Sequence, residues 1–131
     1  MTAFVDTNIL IRHLTGDPPP QAARATRYLG QVDELLLPDL IVAETVCVLE
    51  SIYATPRADV AHALRAVVGF RPIRVLDENL ILRAIEIYEV HRVDFADAYL
   101  VASAERSGVG VVASFDRGID RIGTVKREEP R

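Results

Sequence analysis

Four acidic residues stand where solubility does not call for an acid. Asp6 directly follows the apolar run Ala3-Phe4-Val5, and Asp116 stands just past the run Gly110-Val111-Val112-Ala113. Glu44 lies inside Leu40-Ile41-Val42-Ala43-Glu44-Thr45-Val46-Cys47-Val48-Leu49. Helical spacing gives it Leu40, Ile41, Cys47 and Val48 as neighbours. Asp97 has Val93 before it and Leu100 and Val101 after it at the same spacing. Burying an unpaired carboxylate costs several kcal/mol, so such a group is paired, hydrogen-bonded or bound to a metal. Pairing with arginine is the simplest answer for any one of the four. Four such pairs need four inward-facing bases, and the stretches around Asp6, Glu44 and Asp97 carry none on the same face, although Arg117 follows Asp116 directly. Carboxylates that converge without bases repel one another, and a divalent cation removes that repulsion. Oxygen-only ligands suit magnesium or manganese. His13, His62 and His91 are scattered, Cys47 is the only cysteine, and no HExxH motif occurs, so the pattern does not suggest zinc.

The elements that must position these acids are short strands alternating with helices. Ala3-Phe4-Val5 reads as a buried strand, followed by a helix over about 8–13. Gly16-Asp17-Pro18-Pro19-Pro20 breaks the chain, and Asp17 is expected to cap a helix running to about Leu29. Leu35-Leu36-Leu37 is a second strand, and helices are expected over about 40–53 and 58–68. Ile73 to Leu76 is a third strand. Asp77 caps a helix to about Val90, Asp94 caps another to about Arg106, and Gly108 ends it. Gly110 to Ala113 is a fourth strand, with a weak fifth near 123–126 at an edge. Wholly apolar short strands alternating with helices indicate α/β, a three-layer α/β/α sandwich with a central, mostly parallel sheet. Ligands collect beyond the carboxyl ends of such strands, where Asp6 and Asp116 fall.

The 131 residues fit a single domain over 1–131, and half of them are hydrophobic, as a packed core needs. No apolar run reaches the roughly 18 residues of a membrane span, and the N-terminal stretch lacks the basic start of a signal peptide. With one cysteine, an internal disulfide is impossible, and a cytoplasmic protein without a membrane partner is expected. The net charge of -4 argues against a non-specific nucleic-acid coat. It does not argue against an enzyme that meets phosphate through cations held by acids. The basic residues Arg117, Arg121, Lys126, Arg127 and Arg131 read mainly as a solvated tail.

Four segments carry a family resemblance: Phe4-Val5-Asp6-Thr7-Asn8-Ile9-Leu10, Val42-Ala43-Glu44-Thr45-Val46, Asp94-Phe95-Ala96-Asp97-Ala98-Tyr99-Leu100, and Ala113-Ser114-Phe115-Asp116-Arg117. Each is weak alone. Together and in this order, across nearly the whole chain, they resemble the PIN domain, in particular the VapC-type toxins of type II toxin–antitoxin pairs. The resemblance implies an endoribonuclease dependent on Mg2+ or Mn2+, with Asp6, Glu44, Asp97 and Asp116 as the catalytic metal-site acids. Asp6 and Asp97 would bind the principal metal, Glu44 would help directly or through a water, and Asp116 would serve a second metal or a water. It also implies an RNA substrate such as transfer or ribosomal RNA, a homodimer, and a cognate VapB-type antitoxin.

Supporting roles are open. Asn8 either orients Asp6 or starts the first helix. Ser114 either bonds a ligand or forms an ordinary turn. Asp94 caps its helix or adds charge to the site, and Arg117 either touches phosphate or pairs with an acid. The apolar faces of the helices over 40–53 and 80–88 pack on the sheet, with any surplus left for a dimer or antitoxin interface. Two other functions compete. Aspartate-phosphorylating phosphatases and receiver domains need a nearby lysine, and the only one here is Lys126. A PIN fold that binds RNA or protein without cutting would be expected to have lost some of the four acids.

Overall fold

A computed structural model describes residues 1–131, which fall into two compact units, Met1–Leu76 and Asp77–Arg131. In the first unit, β1 (Thr2–Phe4), β2 (Glu34–Leu36) and β3 (Ile73–Arg74) form one parallel sheet in the order β1-β2-β3. Ala3 lies opposite Leu35, and Leu35 opposite Ile73. Parallel neighbours cannot be joined by a tight turn and need a long crossover. Helices α1 (Thr7–Thr15) and α2 (Pro19–Gln31) make the first crossover, and α3 (Asp39–Ser51) and α4 (Arg57–Val68) the second. Their inward stripes, with Leu10, Ile11, Val42, Val46, Val60 and Leu64, are buried. Helix α1 stops at Gly16, whose φ of 70° is the left-handed conformation that suits glycine.

In the second unit, α5 (Glu78–His91) packs on α6 (Phe95–Ser107), followed by β4 (Val111–Ala113), a 3-10 helix over Arg117–Arg121 and β5 (Lys126–Glu128). The Asp77 carboxylate accepts from the Leu80 amide at 3.2 Å and caps α5 as expected. Ile81, Ile85, Tyr88, Val101, Ile119 and Ile122 are buried, and the Tyr88 and Phe95 rings meet edge to face at 5.9 Å. Arg83 on α5 donates two hydrogen bonds to Glu105 on α6, at 2.8 and 2.9 Å, a bidentate tie between the two helices. No helix is long and apolar enough to cross a membrane.

Every strand pairing is parallel, as expected, but the hydrogen bonds divide the strands into two sheets, β1-β2-β3 and β4-β5. The strands also alternate more than their composition suggests. Phe4 is 73% exposed and burial passes to Val5, while in β4 only Val112 is buried. A strand turns successive side chains to opposite faces, so an apolar run need not be buried along its whole length. The third strand ends at Arg74, leaving Leu76 94% exposed. The last strand lies at 126–128, later than expected, because its register pairs Val111 with Lys126 and Ala113 with Glu128. Asp17 does not cap α2. The helix starts at Pro19 with Pro18 at the capping position, and Asp17 instead accepts from the Tyr53 hydroxyl at 3.0 Å.

Leu35 is fully buried at the centre of its sheet, so Leu35→Ala is expected to cost about 3 kcal/mol in urea unfolding. Leu76→Ala, at an exposed site, should stay within about 0.5 kcal/mol. Equal losses for both would contradict the burial of Leu35 and the exposure of Leu76.

Candidate functional site

The sequence-selected acids occupy both units. Asp6 and Glu44 belong to Met1–Leu76, and Asp94, Asp97 and Asp116 to Asp77–Arg131. Within neither unit do three or more Asp, Glu, His or Cys side chains converge closely enough to hold a metal ion by themselves.

In the first unit, Asp6 leaves β1 in extended conformation and begins α1. Its carboxylate accepts from the Thr7 amide at 2.7 Å, so the strand-to-helix turn fixes the side chain at the carboxyl end of the strand. The Thr7 hydroxyl beside it is buried and has no hydrogen-bond partner. Asn8 is the second residue of α1 and is exposed. Glu44 departs from expectation. The face that reads as an inward apolar stripe is turned outward: Leu40 is 75% exposed, and Glu44 and Cys47 are exposed with it. The buried face of α3 is carried by Val42, Thr45, Val46 and Leu49, one position round the helix. Hydrophobic neighbours at helical spacing did not distinguish these two faces, because α3 is apolar nearly all round.

In the second unit, Asp97 and Asp116 come together. Asp97 sits in the first turn of α6, and Asp116 opens the 3-10 helix after β4. Burial raises the Asp97 carboxyl to about 6, helped by its hydrogen bond to Asp116 and by the charges of Asp116 and Asp94. Asp116 shifts the other way. Its carboxylate is held below the usual range first by the Gly118 amide, which donates to it at 2.8 Å, then by the proton shared with Asp97 and by the charges of Arg121 and Arg127. In the metal-free chain, Asp97 is therefore the proton donor and Asp116 the acceptor. Gly118 allows this approach, since a Cβ there would lie 3.0 Å from the Asp116 carboxylate oxygen.

The supporting residues resolve in part. Asp94 stands at the capping position of α6 but makes no side-chain cap bond, so its charge is left to act on Asp97. The Ser114 hydroxyl accepts from the Asp116 amide at 2.9 Å, which makes it a turn residue that sets where Asp116 begins. Arg117 is exposed, and its charge acts on Asp120. The basic C-terminal residues are not simply a solvated tail. Arg127, only 11% exposed, donates to the Ser114 carbonyl at 3.0 Å and grips Asp120 at 2.9 and 3.1 Å, holding both ends of the turn that carries Asp116. Arg121 donates to the carbonyls of His91 and Arg92 at the end of α5. Sequence reasoning missed these roles because the partners are backbone carbonyls and a 3-10 helix that leave no periodic signal.

The donor set fits a hard divalent cation. Asp97 and Asp116 are a pair of oxygen donors in contact, with the Asp94 charge acting on them, and a cation would neutralise both members of the pair. Because Asp97 titrates higher in the folded chain than its ordinary value of 3.8, the folded state binds the extra proton between about 4 and 6. Its contribution to stability is therefore greatest below that window and is lost as pH rises through it. Asp97→Asn is expected to raise the Tm of the metal-free chain by about 2–4 °C at pH 7.5, with the gain shrinking to nothing near pH 4. A pH-independent change in Tm, followed by circular dichroism, would contradict the shared proton.

A family model described as the PIN domain matches residues 3–125. Among solved structures, the chain is similar to the crystal structure of Mycobacterium tuberculosis VapC20, a toxin that cleaves the sarcin-ricin loop. The identity is 21% and the TM-score 0.44, with 95% of this chain and 97% of that one covered. No curated protein matches the chain. The three-layer α/β/α arrangement with a mostly parallel sheet, expected from the sequence, is the fold class of the matched family. The chain belongs to the PIN-domain family.

Proposed function

We propose that the chain acts as one PIN domain over residues 1–131, a metal-dependent endoribonuclease and the toxin of a type II toxin–antitoxin pair in the cytoplasm. The observation that carries this reading is the carboxyl pair Asp97 and Asp116, which meet in hydrogen-bond contact with no salt bridge to either, in a PIN-family chain. We assign Asp6, Glu44, Asp97 and Asp116 as the acids that hold Mg2+ or Mn2+. When bound, such a cation would supply charge to polarise the scissile phosphate and activate a water, chemistry that would leave a 5′-phosphate and a 3′-hydroxyl. The protein's own part is positional. Asp97 is presented from the first turn of a helix locked to its neighbour by Arg83 and Glu105. Asp116 is oriented by the Gly118 and Ser114 contacts. Asp6 is aimed by the turn from β1 into α1.

Cleavage of a cellular RNA pool by the purified chain is expected with added magnesium or manganese and not in EDTA. Losing a group that only hydrogen-bonds a metal ligand costs about 10–100-fold, so Asp97→Asn, which removes a proposed ligand charge itself, should lower kcat/KM by more than about 100-fold. Products ending in 2′,3′-cyclic phosphate would exclude this chemistry. RNA that is bound but uncut under every metal would favour a non-cleaving PIN module.

The partner reading, a homodimer and a VapB-type antitoxin, is supported by apolar surface on and beside α3. Leu40 is 75% exposed and Ile52 is 71% exposed, whereas the inward residues of α5 are fully buried. Exposed apolar area of this kind favours association. Sedimentation at micromolar concentration should report a dimer, and Leu40→Asp should shift it toward monomer. A wild-type chain that sediments as a monomer removes the dimer.

A further inference from the structure

Helices α1 and α2 enclose a groove of about 590 Å³ whose lining contains no acid. It is lined by Arg12, Arg24 and Arg27, with Tyr28, Gln21 and Gln31 beside them. The spacing of Gln21, Arg24, Tyr28 and Gln31 puts them on one face of α2, while Ala22, Ala25 and Leu29, one position round the helix, are buried. Arg12 donates only to a backbone carbonyl, that of Asp17, at 3.3 Å, and neither Arg24 nor Arg27 forms an ion pair. Elsewhere in the chain, Arg74, Arg83, Arg106 and Arg127 are each engaged by carboxylates. Two exposed arginines left unpaired beside a third, in a chain of net charge -4, create a local field opposite in sign to the whole molecule.

We propose that this groove is a binding subsite for the phosphate backbone of a single-stranded RNA segment. The proposal rests on the nuclease reading above and deepens it by naming where substrate outside the scissile bond is held. The guanidinium forks match phosphate oxygens in pairs. Half-buried Tyr28 offers a ring on which a base can stack, and the glutamine amides can donate and accept at base edges. At a rise of about 1.5 Å per residue, the face from Gln21 to Gln31 extends about 15 Å, long enough for more than one nucleotide. Asn8, also in the lining, stands two residues after Asp6, so a strand lying in the groove passes close to that acid. An apolar peptide helix is a poorer occupant, because only Ile9 and Ala25 line the groove with aliphatic surface.

The test is the affinity of the full chain for a fluorescently labelled uridine oligomer in EDTA, where nothing is cut, as a function of salt. The wild type is compared with Arg24→Ala/Arg27→Ala and with Arg24→Lys/Arg27→Lys. Both positions are on the exposed face of α2, so the variants should keep the wild-type Tm, which is checked alongside. The alanine pair is expected to raise Kd by about tenfold or more and to reduce the slope of log K against log salt by about 1.4, the value for two phosphate contacts on a single strand. The lysine pair should restore most of the slope. KM for metal-dependent cleavage should rise in step with Kd in the alanine pair. Unchanged Kd and KM in that variant, with cleavage intact, would overturn the groove and leave the nuclease reading standing. A wild-type chain that neither binds nor cuts RNA would remove both. Binding of a polyglutamate peptide that competes with RNA in the wild type and is lost in the alanine pair, while RNA binding persists, would assign the groove to an acidic protein partner and overturn the proposal.

Discussion

Like charges held together are the constraint around which the second unit is built. Two carboxylates that meet in a partly buried place repel each other unless a proton, a base or a cation intervenes. Asp97 and Asp116 meet with no base between them, and in the metal-free chain a shared proton answers the repulsion only below about pH 6. Such a pair is held by the rest of the structure rather than by its own attraction. Natural chains keep unfavourable contacts of this kind where the surrounding packing over-determines them.

Several interactions fix the two ends of the pair. On the Asp97 side, α6 is tied to α5 by the bidentate contact of Arg83 with Glu105 and by Arg106 with Asp77. The second contact also engages the carboxylate that caps α5. On the Asp116 side, the pairing of β4 with β5 brings Arg127 against the turn, where it holds the Ser114 carbonyl and Asp120 together. The arginines near Asp116 lower its pKa without forming a salt bridge to it. They bias the pair so that the proton resides on Asp97, leaving Asp116 the more anionic partner.

Local signals in the sequence carried much of this. The helices begin and end close to their expected places because the signals are chemical: Asp77 caps α5, Gly108 with φ of 81° ends α6, and prolines open α2 and α4. Asp97 and Asp116 were also legible as candidates, since an acid in an apolar stretch and an acid past a strand each break a pattern. The face that carries Glu44 was not legible, for the opposite reason. On a helix apolar nearly all round, pattern alone cannot say which face is inside, and the structure turns Leu40, Glu44 and Cys47 outward. The role of Arg127 was invisible, because it depends on a strand register and on carbonyls far along the chain. The basic groove was missed because its arginines are separate in sequence and gather only when α1 and α2 pack.

A single net charge conceals how the charges are used. Arg83, Arg106 and Arg127 are spent on carboxylates inside the second unit, where they set helix packing and turn geometry. Asp94, Asp97 and Asp116 concentrate negative charge where a cation would compensate it. Arg24 and Arg27 serve neither purpose and remain exposed beside Arg12 in a groove without acids. On the proposed reading, cations at the acids and arginines in the groove would attract the same kind of ligand, a polyanion, by different means. A chain that held its substrate only through bound cations would release most of it when the cations left. Arginines in a groove without acids would keep part of the affinity independent of the metal and sensitive to salt. Such a division would let an acidic chain take the proposed nucleic acid substrate without a basic surface overall.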